Sequence, residues 1–289
     1  MKTTTTMMIT SKDIGRLALE AMLAEVSATP KPGLVDRNNA GAHSDMSFFT
    51  FMKSAAGLRN AFDEFARAGS EASSPREMFP VLRRIGLIAE GDMFEATGGI
   101  NTHKGEIFSL GVLSACAGYL AGLGQVLTGE SVAEMAGVVC AGLCERDFSQ
   151  TRKKAPSLLT KGERVYLEHG ISGIRGEAEN GYPIVRTTGL PAMKKYISLG
   201  FSMNDALAFV LMHIIAVNYD TNIISRHDIA AVQEVMSTAQ RLIAEGLTIE
   251  KIAQLDEDFT ARNISPSGSA DLLAVTYFLH SLTQSSPNS

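Results

Sequence analysis

Residues 97–106 read TGGINTHKGE and stand directly before a long uncharged run. Gly98 and Gly99 permit a turn, and Asn101 or Thr102 can cap a helix that starts near His103. Free N–H groups at a helix start suit an anion, and Lys104 adds a point charge. A plain helix cap explains the Gly-Asn-Thr part. It does not explain His103 and Lys104, because cations in a first turn oppose the helix dipole, and a bound anion would remove that conflict. The order GxxxxGK[ST] is absent and no strand precedes the stretch, so it is not a Walker A loop.

Four more segments concentrate polar side chains that a connector does not need. Residues 29–46, TPKPGLVDRNNAGAHSDM, hold the chain extended through Pro30 and Pro32. They present Lys31, Asp36, Arg37, His43 and Asp45, although Asp36 and Asp45 also suit turns or caps. In residues 170–183 a turn needs only the glycines, so Arg175, Glu177 and Glu179 stand out. Residues 219–222, YDTN, follow an apolar helix, which sets Asp220 and Asn222 at its C-terminal end. A carboxylate is disfavoured there by a few tenths to about 1 kcal/mol, and a Mg²⁺ ion held with ligand phosphates would offset that. Residues 262–272 bring Ser265, Ser267 and Ser269 before a helix with Asp271 in its first turn. This is ordinary N-cap chemistry that also suits a phosphate.

The elements that must position these residues are helical. Apolar positions Ile14, Leu17, Ala18, Ala21, Met22 and Leu23 recur at helical spacing from an N-cap at Ser11 to about Ser27. Similar patterns predict helices at about 46–68, 76–90, 103–126, 130–145, 157–169, 190–199, 203–218, 226–245 and 270–283. Period-two alternation bounded by turns is missing. The expectation is an all-α protein, with residues 1–10 a disordered lead-in and 11–289 one multi-helix domain whose loops converge on one end.

With 289 residues, 45% hydrophobic, the chain can bury a large core. A net charge of −5 without basic clusters argues against nucleic acid as a partner. The basic segment at 152–154 reads as a solvated loop. The three cysteines, Cys116, Cys140 and Cys144, lack zinc spacing and read as buried thiols, which suits a reducing cytoplasm. Residues 107–128 carry no charge and are long enough to cross a bilayer, but a helix buried on all sides reads the same way and is the reading adopted here. His213 lies on an apolar helix face and reads as a core histidine.

In order, KPGLVDRNNAGAHSDM, TGGINTHKGEIFSLG, RGEAENGYP, DTN and NISPSGSADLLA resemble the triphosphoribosyl-dephospho-coenzyme A synthases over nearly the whole chain. That family makes the prosthetic-group precursor of the citrate lyase acyl carrier subunit, and a sister branch serves malonate decarboxylase. GDMF at 91–94 resembles the citrate lyase branch. Two positions depart from the family pattern: Arg226-His227-Asp228 stands where Arg-Gly-Gly is usual, and Ser265-Pro266-Ser267-Gly268 where Ser-Pro-Gly-Gly is usual.

The resemblance implies that the ribose 2′-hydroxyl of 3′-dephospho-CoA attacks C1′ of ATP's ribose, that adenine leaves, and that triphosphate stays on the transferred ribose. Such chemistry wants a carboxylate near an oxocarbenium-like centre, a general base and a proton donor for adenine. On that footing Glu177 or Asp45 is the base, with Asp36 and His43 beside them. Lys31, Gly98, Gly99, Asn101, His103, Lys104, Arg175, Arg226, Ser267 and Ser269 would bind ATP and the acceptor. Asp220, Asn222 and Asp36 would hold Mg²⁺, and the product would pass to an acyl carrier protein transferase. The oligomeric state is left open. A Mg²⁺-dependent ribosyl glycohydrolase, or a non-catalytic protein anchored by 107–128, are the rival readings.

Overall fold

The computed structural model describes residues 9–149 and 151–285. Residues 1–8 of the expected lead-in lie outside the described residues. The first helix, α1 (Ser11–Ser27), is capped by Thr10 and not by Ser11: the Thr10 hydroxyl accepts from Asp13 N–H, while Asp13 accepts from Thr10 N–H at 3.0 Å. No strand occurs among the described residues, and the fold is all-α.

One helix expected at 46–68 is two, α2 (Phe48–Gly57) and α3 (Ala61–Ser70), with the break at 58–60. The long α4 (Pro75–Thr97) ends on the left-handed Gly98, and α5 (Lys104–Gly122) follows. The pattern over 130–145 is likewise broken into α6 (Gly129–Val139) and α7 (Leu143–Phe148) by Gly142, whose φ is 72°. Cys140 and Cys144 therefore sit on different elements, and all three thiols are free. Next come α8 (Lys161–His169) and α9 (Gly173–Glu179), then a π-turn over Val185–Gly189 running into α10 (Leu190–Ser198). The chain closes with α11 (Met203–Ile215), α12 (Thr221–Arg226), α13 (Ile229–Glu245), α14 (Ile249–Ala261) and α15 (Ser267–Ser285).

The apolar run is the axis of the molecule. Of the apolar window in α5, 78% is buried inside the protein, and α1, α3, α4, α6 and α15 pack around it. Burial on every side explains why this helix has no polar face. Small residues let its neighbours approach closely: a Cβ on Gly118 would fall 2.0 Å from Ala66 O, and one on Gly69 would fall 1.9 Å from Ala115 O. One apolar core runs from Ile14 to Leu282. His213, expected in the core, is half-buried, with Nε2 2.9 Å from Tyr196 Oη.

Candidate active site

The starts of α5, α8, α9, α12 and α15 converge with the 29–46 loop and the middle of α4 around a cleft of about 830 Å³. Helix starts carry partial positive charge, so their convergence favours an anionic ligand. Lys31, Arg83, Lys104, Lys161, Arg175 and Arg226 reach the wall, and Phe51, Phe65, Phe79, Leu82, Phe108 and Val112 supply an apolar part. Charged and apolar surface in one concavity suits a ligand with phosphates at one end and a ring or chain at the other.

The 29–46 loop is built around Asp36. Its Oδ2 accepts from Thr29 Oγ1 at 2.6 Å and from Lys31 N–H, and its Oδ1 accepts from the N–H groups of Asn38 and Asn39. Asp256 of α14 accepts from Gly33 N–H at 2.9 Å and Asn39 Nδ2 at 2.7 Å, and so fastens the loop to the body. Held this way, the loop brings Lys31, His43 and Asp45 to the cleft. Lys31 is only 1% exposed and ion-paired to Glu25. His43 Nε2 lies 2.9 Å from Ser265 Oγ, and burial with the nearby Arg226 charge lowers its pKa. Asp36 itself is buried with both oxygens engaged, so it is a loop organiser and is neither a catalytic group nor a free metal ligand.

Residues 173–179, expected as a loop, form the short helix α9, which aims Arg175 and Glu177 into the cleft. Arg175 donates to Asp147 at 2.9 Å, and Asp147 also holds Arg83. Glu177 accepts one hydrogen bond, from Ile184 N–H at 3.1 Å, and burial raises its pKa to about 7. A carboxyl group that titrates near neutrality is suited to moving a proton at working pH.

Asp220 corrects the dipole argument made from the sequence. Helix α11 ends at Ile215, and Asp220 is the N-cap of α12, accepting from Asn222 N–H at 2.9 Å. Its other oxygen accepts from Ser269 N–H at 2.8 Å, at the start of α15, and from Ser269 Oγ. Two helix starts favour this carboxylate, so no metal is needed to offset it. Ser269 is spent on that contact and on Asn218, which removes it as a phosphate ligand. Asn222, Arg226 and Ser267 do line the cleft.

The stretch at 97–106 divides. Gly98 and Gly99 close the C-terminus of α4, the latter through Gly99 N–H to Phe94 O at 2.8 Å, and do not reach the cleft. His103 is 0% exposed, with Nδ1 2.7 Å from Ser54 Oγ, and burial drives its pKa down to about 3. It is neutral and holds no phosphate. Lys104 pairs with Glu90 at 2.7 Å, and Asn101 accepts from Lys104 N–H. Both residues line the cleft.

Among the wall residues that escaped the sequence reading are Glu25, Arg83, Glu106, Asp147 and Lys161. Glu25 falls one turn beyond Ala21 and Met22 on the buried face of α1, an acid in an apolar stripe, and that was legible. Glu106 is the last charge before the apolar run. Burial, together with the charges of Glu25 and Asp271, raises its pKa well above the carboxylate range. The set Asp36, Asp220 and Asn222 does not fit a Mg²⁺ site, since both carboxylates are closed by hydrogen bonds. No group of three or more His, Cys, Asp or Glu residues stands at metal-holding spacing among the described residues.

An all-helical body whose cleft combines helix starts, cationic side chains, a near-neutral carboxyl and an apolar wall is suited to a ligand that carries phosphates. The chain belongs to the CitG family, described as ATP:dephospho-CoA triphosphoribosyl transferase, whose model matches residues 11–289. It is 39% identical over 278 residues to the 2-(5''-triphosphoribosyl)-3'-dephosphocoenzyme-A synthase of Klebsiella pneumoniae, covering 94% of this chain and 91% of that one. It is 38% identical over 281 residues to the Escherichia fergusonii protein of the same name, covering 95% and 92%. No solved structure matches it.

Proposed function

We propose that the protein transfers the 5-triphosphoribosyl group of ATP to the 2′-hydroxyl of 3′-dephospho-CoA. The observation that carries this reading is the pairing of near-neutral Glu177 with several cationic side chains in one cleft, in a chain that belongs to the CitG family. The acceptor O–H loses its proton to the Glu177 carboxylate as oxygen bonds to C1′. The C1′–N9 bond breaks, and adenine leaves with the electron pair and takes up a proton. Lys104, Lys161, Arg175 and Arg226 hold phosphates, and the phenylalanine-lined wall takes a base or the pantetheine arm. Asp45, exposed and 3.9 Å from His43, is the less suitable base because nothing around it holds it at one position.

The product is the prosthetic-group precursor for a citrate lyase acyl carrier protein, and a separate transferase attaches it. The reaction runs in the cytoplasm, where both substrates are made. The GDMF motif supports the citrate lyase branch, although Met93 itself is a core residue whose sulfur accepts from His103 N–H at 3.3 Å. The test is chromatographic detection of adenine released from ATP with and without 3′-dephospho-CoA. Acceptor-dependent release with formation of the joined product is expected. Adenine release into water at the same rate without acceptor would make the protein a glycohydrolase instead.

A further inference from the structure

The cleft wall holds two carboxyl groups that nothing in the protein satisfies. Glu106, in the first turn of α5, is 2% exposed, and its Oε2 has no hydrogen-bond partner. Asp271 of α15 lines the same wall, and no hydrogen bond or ion pair reaches it among the described residues. Its carboxylate lies against the backbone of Gly105, so that a Cβ there would fall 2.0 Å from Asp271 Oδ2. The start of α5 offsets part of this charge but donates no hydrogen bond to it. Lys31 is the cation that both Glu25 and Glu106 feel, and it is hydrogen-bonded to Glu25. A buried polar group left unpaired costs about 1–3 kcal/mol, and more when charged, so Glu106 calls for a partner from outside, and half-buried Asp271 stands ready to share it.

We propose that Glu106 and Asp271 are the protein's half of a divalent-cation site, and that the cation arrives with the triphosphate of the substrate. The inference rests on the reading of the cleft as a triphosphate site. The donors are all oxygen, which selects a hard cation of the Mg²⁺ or Mn²⁺ kind over zinc. Two carboxylates suffice for such an ion, because phosphate oxygens and water complete its octahedron. This site replaces the set Asp220, Asn222 and Asp36 expected from the sequence. Gly105 becomes a positioning residue: it leaves the space that Asp271 occupies.

The experiment reads metal binding in the full-length chain with no acceptor and no turnover. Mn²⁺ is the probe, alone and with inorganic tripolyphosphate, followed by water-proton relaxation. Wild type is expected to bind the Mn²⁺–tripolyphosphate complex more tightly than Mn²⁺ alone. Glu106→Gln and Asp271→Asn should each weaken binding at least tenfold with thermal midpoints equal to or above wild type. Gly105→Ala, which removes no ligand, should also weaken it by pushing Asp271 aside. Should one variant fail to fold, the other two decide the matter. Equal binding by wild type and the folded variants overturns the proposal, as does a wild type that binds neither probe. Because adenine release is not measured, failure of the transfer reading and failure of the cation site are distinguishable.

Discussion

Glu177 carries the sharpest pH signature at the scale of single residues. Its pKa of about 7 in the folded protein exceeds the ordinary 4.5. The folded state therefore keeps a proton that the unfolded chain loses, and stability falls as pH rises from about 4.5 to about 7, then levels off. The ionised form is the base, so kcat/KM should rise through pH 7 and flatten above it. In Glu177→Gln the amide oxygen still accepts from Ile184 N–H. Adenine release should fall about 10²–10⁴-fold and the pH 7 limb should vanish, while Tm at pH 8 exceeds wild type and Tm at pH 4 matches it. Asp220→Asn should behave in the opposite sense. An amide has one accepting oxygen for two helix starts, and its NH₂ would face the other N–H. Thermal unfolding should show a loss of roughly 1–3 kcal/mol, and a stability equal to wild type would refute the capping role. The two departures from the family glycines also differ. His227 Nε2 lies 3.0 Å from Asn263 O, and Asp228 caps α13, both outside the cleft, whereas Ser267 adds a hydroxyl to its wall.

At the scale of elements, α3 and α5 meet backbone to backbone. Gly118 and Gly69 stand where a methyl group would strike a carbonyl oxygen of the facing helix. Alanine is favoured over glycine within a helix by about 1 kcal/mol, so a site governed by propensity alone would gain from the change. Here Gly118→Ala should destabilise by about 1–3 kcal/mol, read by urea denaturation, because neither backbone can retreat without opening the core. The same scale explains the elements that sequence pattern missed. Helix α14 has an amphipathic face, but lies between two stretches that drew attention as helix and loop. Helix α9 is glycine-rich and only seven residues long, too short for periodicity to declare itself. The breaks at 58–60 and 140–142 leave the apolar spacing almost undisturbed, so one helix and two give the same pattern.

For the whole molecule, the proposed reading brings both substrates into one cleft, so transfer should proceed through a ternary complex. Initial-rate plots against ATP at several acceptor concentrations should intersect, and parallel lines would point to a ribosylated enzyme instead. In 3′-dephospho-CoA the attacking 2′-hydroxyl has a free 3′-hydroxyl beside it, whereas CoA carries a phosphate dianion there. A cleft already holding a triphosphate should reject that charge. A turnover assay in which CoA serves as well as 3′-dephospho-CoA would contradict this arrangement.

The sequence by itself determined that the protein is helical, because 3.6-residue periodicity is a local property that survives without knowledge of partners. It also singled out loops whose residues meet at the cleft, because charged residues among glycines and prolines stand outside the apolar pattern. It singled out Arg175, Glu177 and Lys104 on type and setting alone, and all three line the cleft. Tertiary structure decided what each polar residue does. His103 and Lys104 are neighbours in sequence, yet one is a neutral core group and the other a cation on the cleft wall, because α5 turns His103 toward Ser54. Asp36 and Asp220 look like ligands until the chain folds back and fills their oxygens with backbone N–H groups. Glu106 looks like a routine first-turn acid until Asp271, distant in sequence, arrives beside it. Burial and hydrogen-bond partners arise from long-range contacts, and they decide whether a carboxylate is a cap, a base or an open ligand.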